Sequence, residues 1–321
     1  MTPREGTIRD GSRGRRGLDP HQRFPDDRTL DWAARAVGPG ARVMGGRRLT
    51  GGITSSMHRL AVETRTGTRI QVVLRRWTPG EWGASGDAPH LAERESQVLR
   101  GLEATDIPAP RVLAADVTCD ATGVPALLMT RVPGGVDLAP SDPGAWLRQI
   151  AAMAARIHAA DVDVEPREWK PREVPVPAWT SRPAAWEAAA DLIRGPAPAQ
   201  EDRFAHGDYH HFNLLWQRGR LTGVVDWVNA CRGPADLDVG HCRLNLAVLY
   251  SPEVAADFLD AYEADAGRRV DPYWDIRGAT APAFSDWAAF IPIQVGDRAP
   301  FDSSGIHRRI DDHLAAALRR V

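Results

Sequence analysis

The stretch His206-Gly-Asp-Tyr-His-His-Phe-Asn213, followed shortly by Val224-Val-Asp226-Trp, decides the expected fold of this 321-residue chain. It supplies a carboxylate at Asp208, an amide at Asn213 and a second carboxylate at Asp226. Phosphoryl transfer needs these types, because one carboxylate orients the attacking hydroxyl while an amide oxygen and another carboxylate hold Mg²⁺ against nucleotide phosphates. The alternative is a set of surface turn residues, since Asp and Asn favour turns. The apolar run that delivers Asp226 favours the chemical interpretation.

This pattern resembles the aminoglycoside phosphotransferase and choline kinase-like family of small-molecule kinases. The resemblance covers about residues 45–265 and extends to Ile107-Pro-Ala-Pro-Arg-Val-Leu-Ala, Leu127-Leu-Met-Thr-Arg-Val-Pro-Gly134 and Ile157-His158. It implies an α+β, protein-kinase-like bilobal fold, with a small antiparallel-sheet N-lobe and a larger, mainly helical C-lobe. It also implies Asp208 as the catalytic residue, Asn213 and Asp226 as Mg²⁺ ligands, and ATP or GTP as the phosphate donor.

Local patterns on both sides of the stretch agree with two lobes. Residues typical of strands predict β structure at Met57–Glu63, Arg69–Trp77, Val112–Ala115 and Ala126–Arg131, and an apolar face predicts a helix at Leu91–Leu102. Beyond Pro133 a hairpin is predicted at Leu214–Trp216 and Leu221–Val225, and helices at Trp146–Ala160, Pro183–Arg194, Ala235–Tyr250, Pro252–Ala266 and Asp311–Arg320. We expect a disordered Arg/Gly-rich tail at 1–28, a nucleotide-binding lobe at 29–132 and a catalytic and acceptor-binding lobe at 133–321.

The resemblance also implies how the first lobe holds phosphate. The family's strand lysine corresponds to Arg75, and a guanidinium can pair phosphate oxygens bidentately although it is longer and planar. Arg76, or an ordinary edge charge, remains the alternative. Glu95 matches the helix glutamate that would fix this arginine, with Glu93 as its competitor, and either could instead lie on a solvated helix face.

A glycine-containing segment, Thr50-Gly-Gly-Ile-Thr-Ser-Ser56, takes the position of the family's nucleotide loop. Glycine lets the backbone approach phosphate, and hydroxyl groups can donate to it, although a plain hairpin turn could have the same composition. We expect nucleotide contacts from Gly51, Gly52 and Ser55, and from the interlobe hinge at Thr130 and Val132.

Two residues are assigned to structural support of the catalytic loop. His206 matches the motif histidine, and Asp238 matches a family aspartate at a helix start, where a carboxylate that only favours the helix N-terminus is the alternative. His210 and His211 are interpreted as loop residues, because adjacent histidines are poorly placed to share one metal ion.

Composition excludes several classes of protein. Hydrophobic residues make up 43% and charged residues 26%, which is typical of globular chains, and no apolar run is long enough to span a bilayer. The net charge of -2 favours neither a nucleic-acid nor a membrane partner. Three cysteines without a Cys-x-x-Cys pair argue against a disulfide framework and against zinc. We expect a cytoplasmic monomer or homodimer.

The acceptor is the open question. A hydroxyl of an aminoglycoside-like antibiotic or related natural product is the leading hypothesis, and a metabolic alcohol or sugar of the choline or homoserine kind is the alternative. A non-catalytic nucleotide-binding relic and a kinase of proteins are the other hypotheses. Candidate walls of a sugar or apolar pocket are Trp179, Trp186, Trp227, Tyr273, Trp274 and Trp287. Candidate partners of a cationic acceptor are Glu253, Asp257, Asp260, Glu263, Asp265 and Asp286.

Overall fold

The computed structural model describes residues 24–49, 55–78 and 88–321. The chain divides into two compact units, the first comprising residues up to 103 together with 110–132, and the second comprising 104–109 together with 133–321. Most of the predicted tail, and Gly51 and Gly52 of the predicted nucleotide loop, lie outside the described residues.

The first unit contains a five-stranded antiparallel sheet and two helices. Its helices are α1 (Asp27–Val37) and α2 (Ala88–Leu102), and α1 begins where the Asp26 carboxylate accepts a hydrogen bond from the Thr29 N–H (2.9 Å). The strands have the spatial order β1-β2-β3-β5-β4, and they are β1 (Arg42–Arg48), β2 (Ser56–Glu63), β3 (Arg69–Arg76), β4 (Val112–Asp116) and β5 (Ala126–Thr130).

Alternation along the central strands separates a packing face from a polar face. Leu60 of β2 and Leu74 of β3 are fully buried in one apolar cluster with Leu30 of α1. Successive side chains of a strand point to opposite faces. Arg75 therefore lies on the other face, where it meets Glu95 of α2.

The second unit is mainly helical. It contains α3 (Pro143–Ala159), α4 (Pro183–Arg194), α5 (Asp236–Leu249), α6 (Pro252–Ala266), α7 (Pro272–Ala279), α8 (Trp287–Val295) and α9 (Ile306–Leu318). Two antiparallel pairs complete it: β6 (Asp202–Ala205) with β9 (Cys231–Pro234), and β7 (Leu214–Gln217) with β8 (Arg220–Val224). Helix α5 is buried around most of its circumference, between α6, α7 and α9. Among the described residues, no helix is both long and apolar enough to cross a bilayer.

The predicted elements are present within a few residues of their expected bounds, and the unpredicted ones have weak patterns. Strands β6 and β9 are only four residues long, and β1 is largely exposed. Helix α7 has eight residues. Helix α8 is apolar on nearly every side and contains Pro292, so it has no amphipathic period to detect.

Candidate active site

The loop between β6 and β7 holds Asp208 in a backbone shape that requires its glycine. Gly207 has φ +78°, and a Cβ atom there would lie 2.1 Å from the backbone oxygen of Asn229. Only glycine adopts this conformation and tolerates this approach without strain. The His-Gly-Asp motif therefore has a steric cause at its middle position.

His206 ties the loop to the segment that carries Asp226. Its ring is fully buried, lies 4.5 Å from the Trp227 ring, and places Nε2 3.1 Å from the Val225 carbonyl oxygen. Burial lowers the pKa of His206, so the ring packs as a neutral imidazole. The contacts are those that a supporting role for this histidine requires.

Asp238, at the start of α5, accepts hydrogen bonds from the backbone of the same loop. Its carboxylate is fully buried and accepts from the His206 N–H (2.7 Å) and the Gly207 N–H (2.8 Å). His158 Nε2 lies 3.2 Å from the carboxylate, and His158 Nδ1 lies 2.8 Å from the Tyr262 hydroxyl. Burial raises the pKa of Asp238, but its contacts with His158 and His206 outweigh burial and lower the pKa overall. The group therefore remains an ionised acceptor.

Hydrogen bonds link Asn213 both to Asp208 and to the segment that carries Asp226. The Val225 N–H donates to the Asn213 carbonyl oxygen (2.9 Å), directly before Asp226, which has a left-handed backbone (φ +68°). Asn213 Nδ2 donates to the backbone oxygen of Asp208 (2.9 Å) and to its Oδ2 (3.3 Å). This orientation uses the amide nitrogen and leaves the amide oxygen for a cation. An amide oxygen with nearby carboxylates is a donor set that fits Mg²⁺.

Two histidines contact Asp208, and the sequence interpretation assigned neither of them to the site. His241 Nε2 lies 3.0 Å, and His210 Nε2 3.4 Å, from Asp208 Oδ1. Burial raises the pKa of Asp208, but these two rings outweigh burial and hold the pKa well below its usual range. His210 is therefore more than a loop residue, whereas His211 is fully buried and its pKa is lowered well below the ordinary value by burial.

In the first unit, Arg75 and Glu95 form a buried ion pair. The guanidinium donates to Glu95 Oε1 (2.7 Å) and to Ser55 Oγ (2.9 Å), and it lies 4.9 Å from the centre of the Trp77 ring. Glu95 is therefore the partner rather than Glu93, which is exposed. The neighbouring Arg76 lies on the opposite face of β3, where burial lowers its pKa.

The predicted hinge residues lie at the end of β5. Thr130 exchanges two hydrogen bonds with Arg111: its N–H donates to the Arg111 oxygen (2.8 Å), and its Oγ1 accepts from the Arg111 N–H (2.9 Å). Val132 is half-buried and is the last residue of the first unit.

Residues 47–273 match the phosphotransferase enzyme family, APH. The chain belongs to the APH phosphotransferase family. The match includes the loop that holds Asp208, the segment of Asp226, and the Arg75–Glu95 pair. It confirms the resemblance that the His-Gly-Asp pattern indicated.

Solved structures with a similar fold include aminoglycoside and macrolide phosphotransferases. A Ralstonia eutropha protein assigned to the aminoglycoside phosphotransferases is 18% identical, with a TM-score of 0.62 over 92% of this chain and 99% of that chain. The macrolide 2'-phosphotransferase MphH of Brachybacterium faecium is 20% identical, with a TM-score of 0.55 over 92% of this chain and 99% of that one. These similarities confirm the α+β, protein-kinase-like fold with a small antiparallel sheet and a larger helical part.

Curated relatives match over a shorter range. The chain is 31% identical over 111 residues to a homoserine kinase of Gluconobacter oxydans, which is 33% of this chain and 31% of that protein. It is 32% identical over 101 residues, 30% of this chain and 28% of that protein, to an N-acetylmuramate/N-acetylglucosamine kinase of Caulobacter vibrioides. The chain thus spans less than a third of the length of the curated relatives it matches.

Five of the six candidate aromatic residues are buried. Trp186, Trp227, Tyr273 and Trp274 are buried in the packing of the second unit. The half-buried Trp179 and the buried Trp287 line a depression of about 370 Å³, together with Asp286 and His307. The Trp179 ring stacks on His307 at 4.3 Å, and the Trp287 ring lies 6.4 Å from that of His241, which contacts Asp208. Among the candidate carboxylates, Glu263 is buried and pairs with Arg269.

A helical spacing could have identified His241. It follows Asp238 by three residues on α5, so the two side chains lie on neighbouring positions of one helix face. Once Asp238 is placed behind the catalytic loop, His241 is expected one turn further along, near Asp208. The helical spacing therefore predicts the position of His241 only if Asp238 is first assigned to this loop.

Proposed function

We propose that this chain is a Mg²⁺-dependent kinase that transfers the γ-phosphate of ATP, or of GTP, to a hydroxyl group of an amino-sugar antibiotic or a related natural product. The observation that supports the proposal is that Asn213 is hydrogen-bonded both to Asp208 and to the residue before Asp226. Membership of the phosphotransferase family supports the same reaction class.

Asp208 would orient the acceptor hydroxyl and receive its proton. Its two histidine contacts fix Oδ1, and its low pKa keeps the carboxylate ionised at neutral pH. A weakly basic carboxylate suffices, because phosphoryl transfer has a loose transition state in which positioning matters more than proton abstraction. The hydrogen bonds from the loop backbone to Asp238 would help to hold Asp208 in this position.

Asn213 and Asp226 would hold Mg²⁺, which supplies charge neutralisation at the phosphates when bound. Asn213 can contribute its amide oxygen because its nitrogen donates to Asp208. The left-handed backbone of Asp226 costs about 1–3 kcal/mol, and such strain clusters at functional sites.

The first unit would bind the nucleotide. Arg75, held by Glu95 and Ser55, would pair the α- and β-phosphate oxygens in place of the family's lysine. The proposal includes phosphate contacts from Gly51 and Gly52 and adenine-edge contacts from the backbone of Thr130 and Val132.

The depression in the second unit supports an amino-sugar acceptor. The half-buried Trp179 can offer aromatic surface to a sugar ring, and the exposed carboxylate of Asp286 can meet an ammonium group. The part-length matches to a homoserine kinase and to an amino-sugar kinase favour a second candidate, a metabolic alcohol or sugar. The third candidate function is that of a non-catalytic nucleotide-binding relic. Its support is that Arg75 stands where the family has a lysine.

The test is release of ADP or GDP with Mg²⁺ and a panel of aminoglycosides, macrolides, amino sugars and amino alcohols. Acceptor-dependent turnover that Asp208→Asn abolishes supports the kinase and identifies its substrate class. In parallel, calorimetry should show weaker Mg²⁺-nucleotide binding by Asp226→Ala, and unchanged binding contradicts the metal role. Tight nucleotide binding without turnover on any acceptor favours the relic, and no nucleotide binding refutes the proposal.

A further inference from the structure

The geometry points to a second metal site in this chain: Asp208, His210 and His241 form a three-ligand site for a Zn²⁺-type transition-metal ion, distinct from the Mg²⁺ position at Asn213 and Asp226. The carboxylate oxygen and the two imidazole nitrogens all lie within 4.8 Å of one another. Imidazole with carboxylate is a ligand set that suits zinc, whereas magnesium selects oxygen ligands.

The distances between the ligand atoms match those of a zinc centre. Zinc bonds to nitrogen and carboxylate oxygen of about 2.0–2.2 Å place two ligands of a tetrahedron about 3.3–3.5 Å apart. Asp208 Oδ1 lies 3.4 Å from His210 Nε2 and 3.0 Å from His241 Nε2. Two of the three edges therefore have nearly the required length, and the third, between the two histidine nitrogens, is at most 4.8 Å.

Neighbouring amide groups lie beside both Nε2 atoms. Asn213 Nδ2 lies 3.3 Å from His210 Nε2, and Asn245 Nδ2 lies 3.3 Å from His241 Nε2. Both amide orientations are set by backbone oxygens, since Asn213 Nδ2 donates to the Asp208 oxygen (2.9 Å) and Asn245 Nδ2 to the His241 oxygen (3.0 Å).

The site is half open, as a three-ligand zinc site requires. His210 is almost fully buried, while the side chains of His241 and Asp208 are 26% and 31% exposed. Protein ligands therefore cover one side, and solvent or a hydroxyl compound can take the fourth position. Because the ion occupies the carboxylate that would receive the acceptor proton, Zn²⁺ should inhibit the enzyme; this consequence, but not the binding, rests on the proposed function.

The experiment is calorimetry of the full-length chain with Zn²⁺ in excess Mg²⁺, without nucleotide or acceptor. The expected result is one Zn²⁺ per chain and an affinity at least about ten-fold weaker for His241→Gln, since even outer-sphere partners of metal ligands contribute ten-fold or more. His90→Gln, at an exposed histidine of α2, is the matched control and should bind like the wild type.

Cobalt provides a readout that needs no variant. Co²⁺ in the wild-type chain should give visible absorption without a thiolate charge-transfer band, and paramagnetically shifted N–H resonances of two imidazole rings. Absent binding, equal affinity of wild type and His241→Gln, or a thiolate band overturns the site. Zn²⁺ inhibition of turnover is measured separately, so a chain that binds Zn²⁺ but has no kinase activity refutes the proposed function alone.

Discussion

The carboxylate of Asp238 allows a quantitative prediction about the catalytic loop. Asp238→Asn replaces one acceptor oxygen by an NH₂ group, which must face either the His206 N–H or the Gly207 N–H, because these two N–H groups donate to different oxygens. In either orientation of the amide, one buried N–H loses its acceptor, which costs about 1–3 kcal/mol. The other N–H exchanges a charged acceptor for a neutral one, which costs roughly 1 kcal/mol.

The expected loss of unfolding free energy is therefore about 2–4 kcal/mol. A typical domain has about 5–15 kcal/mol, so the variant should still fold. The loop carrying Asp208 would shift, and a displacement of about 1 Å can lower kcat on the order of 100-fold. The assays are urea unfolding at neutral pH and acceptor-saturated kcat measured on the folded variant.

Asp116→Asn is the matched control. Asp116 is a buried carboxylate in the first unit and accepts from the N–H groups of Asp120, Ala121 and Thr122 and from the Thr122 hydroxyl. It should destabilise the chain comparably while leaving kcat unchanged. Surface substitutions usually change the unfolding free energy by less than about 0.5 kcal/mol. A loss this small for Asp238→Asn would refute the supporting role of the Asp238 carboxylate. An equal loss of kcat in the control would refute its specificity.

The same variant has a predicted pH dependence. Contacts with His158 and His206 lower the pKa of folded Asp238 despite the opposing effect of burial. The stabilising contribution is thus fully present above the unfolded pKa of about 3.9 and is lost as pH falls through the lower folded value. The stability difference between wild type and Asp238→Asn should be constant near neutrality and shrink in acid. A difference that grows in acid would contradict the sign.

Three further predictions concern the proposed roles. Asp208→Asn should lower kcat by about 10²–10⁴-fold with little change in nucleotide affinity, and near-normal turnover would exclude Asp208 as the base. Arg75→Lys keeps the charge but cannot reproduce both planar contacts, so the nucleotide KM should rise, whereas Arg76→Lys should leave it unchanged; the reverse outcome would place the phosphate contact at Arg76. Asp286→Asn retains the N-cap bond to α8 but removes the charge, so it should raise KM for cationic acceptors only. The equivalent N-cap substitution on α3, Asp142→Asn, should leave this KM unchanged.

Local chemistry made much of this fold predictable. The β2–β3 hairpin follows from alternating apolar residues around Thr66-Gly67, where Gly67 has φ +83°. The apolar period of α2 and the proline that begins α4 are equally local signals. What escaped prediction either lacked a period, as α8 does, or was too short to show one, as β6 and β9 are.

The His-Gly-Asp motif could be recognised from the sequence because its spacing is set within one loop and one hairpin. Bonds between residues that are close in sequence link Asn213 to Asp208 and to Val225, the residue before Asp226. The pairing of Arg75 with Glu95 is one prediction, with Arg76 and Glu93 as the alternatives. Which of these residues meet depends on how the faces of β3 and α2 are oriented, and the structure pairs Arg75 with Glu95.

By itself, the sequence determined the family, the class of fold and the residue types for phosphoryl transfer, since these depend on short-range spacing and on the steric demand for Gly207. Only the tertiary structure decided what surrounds them. His158 and Asp238 are 80 residues apart, and His241 reaches Asp208 from a helix whose position depends on packing against α6, α7 and α9. Such contacts arise when distant elements bury their apolar faces together, and no local pattern encodes which polar side chains then meet.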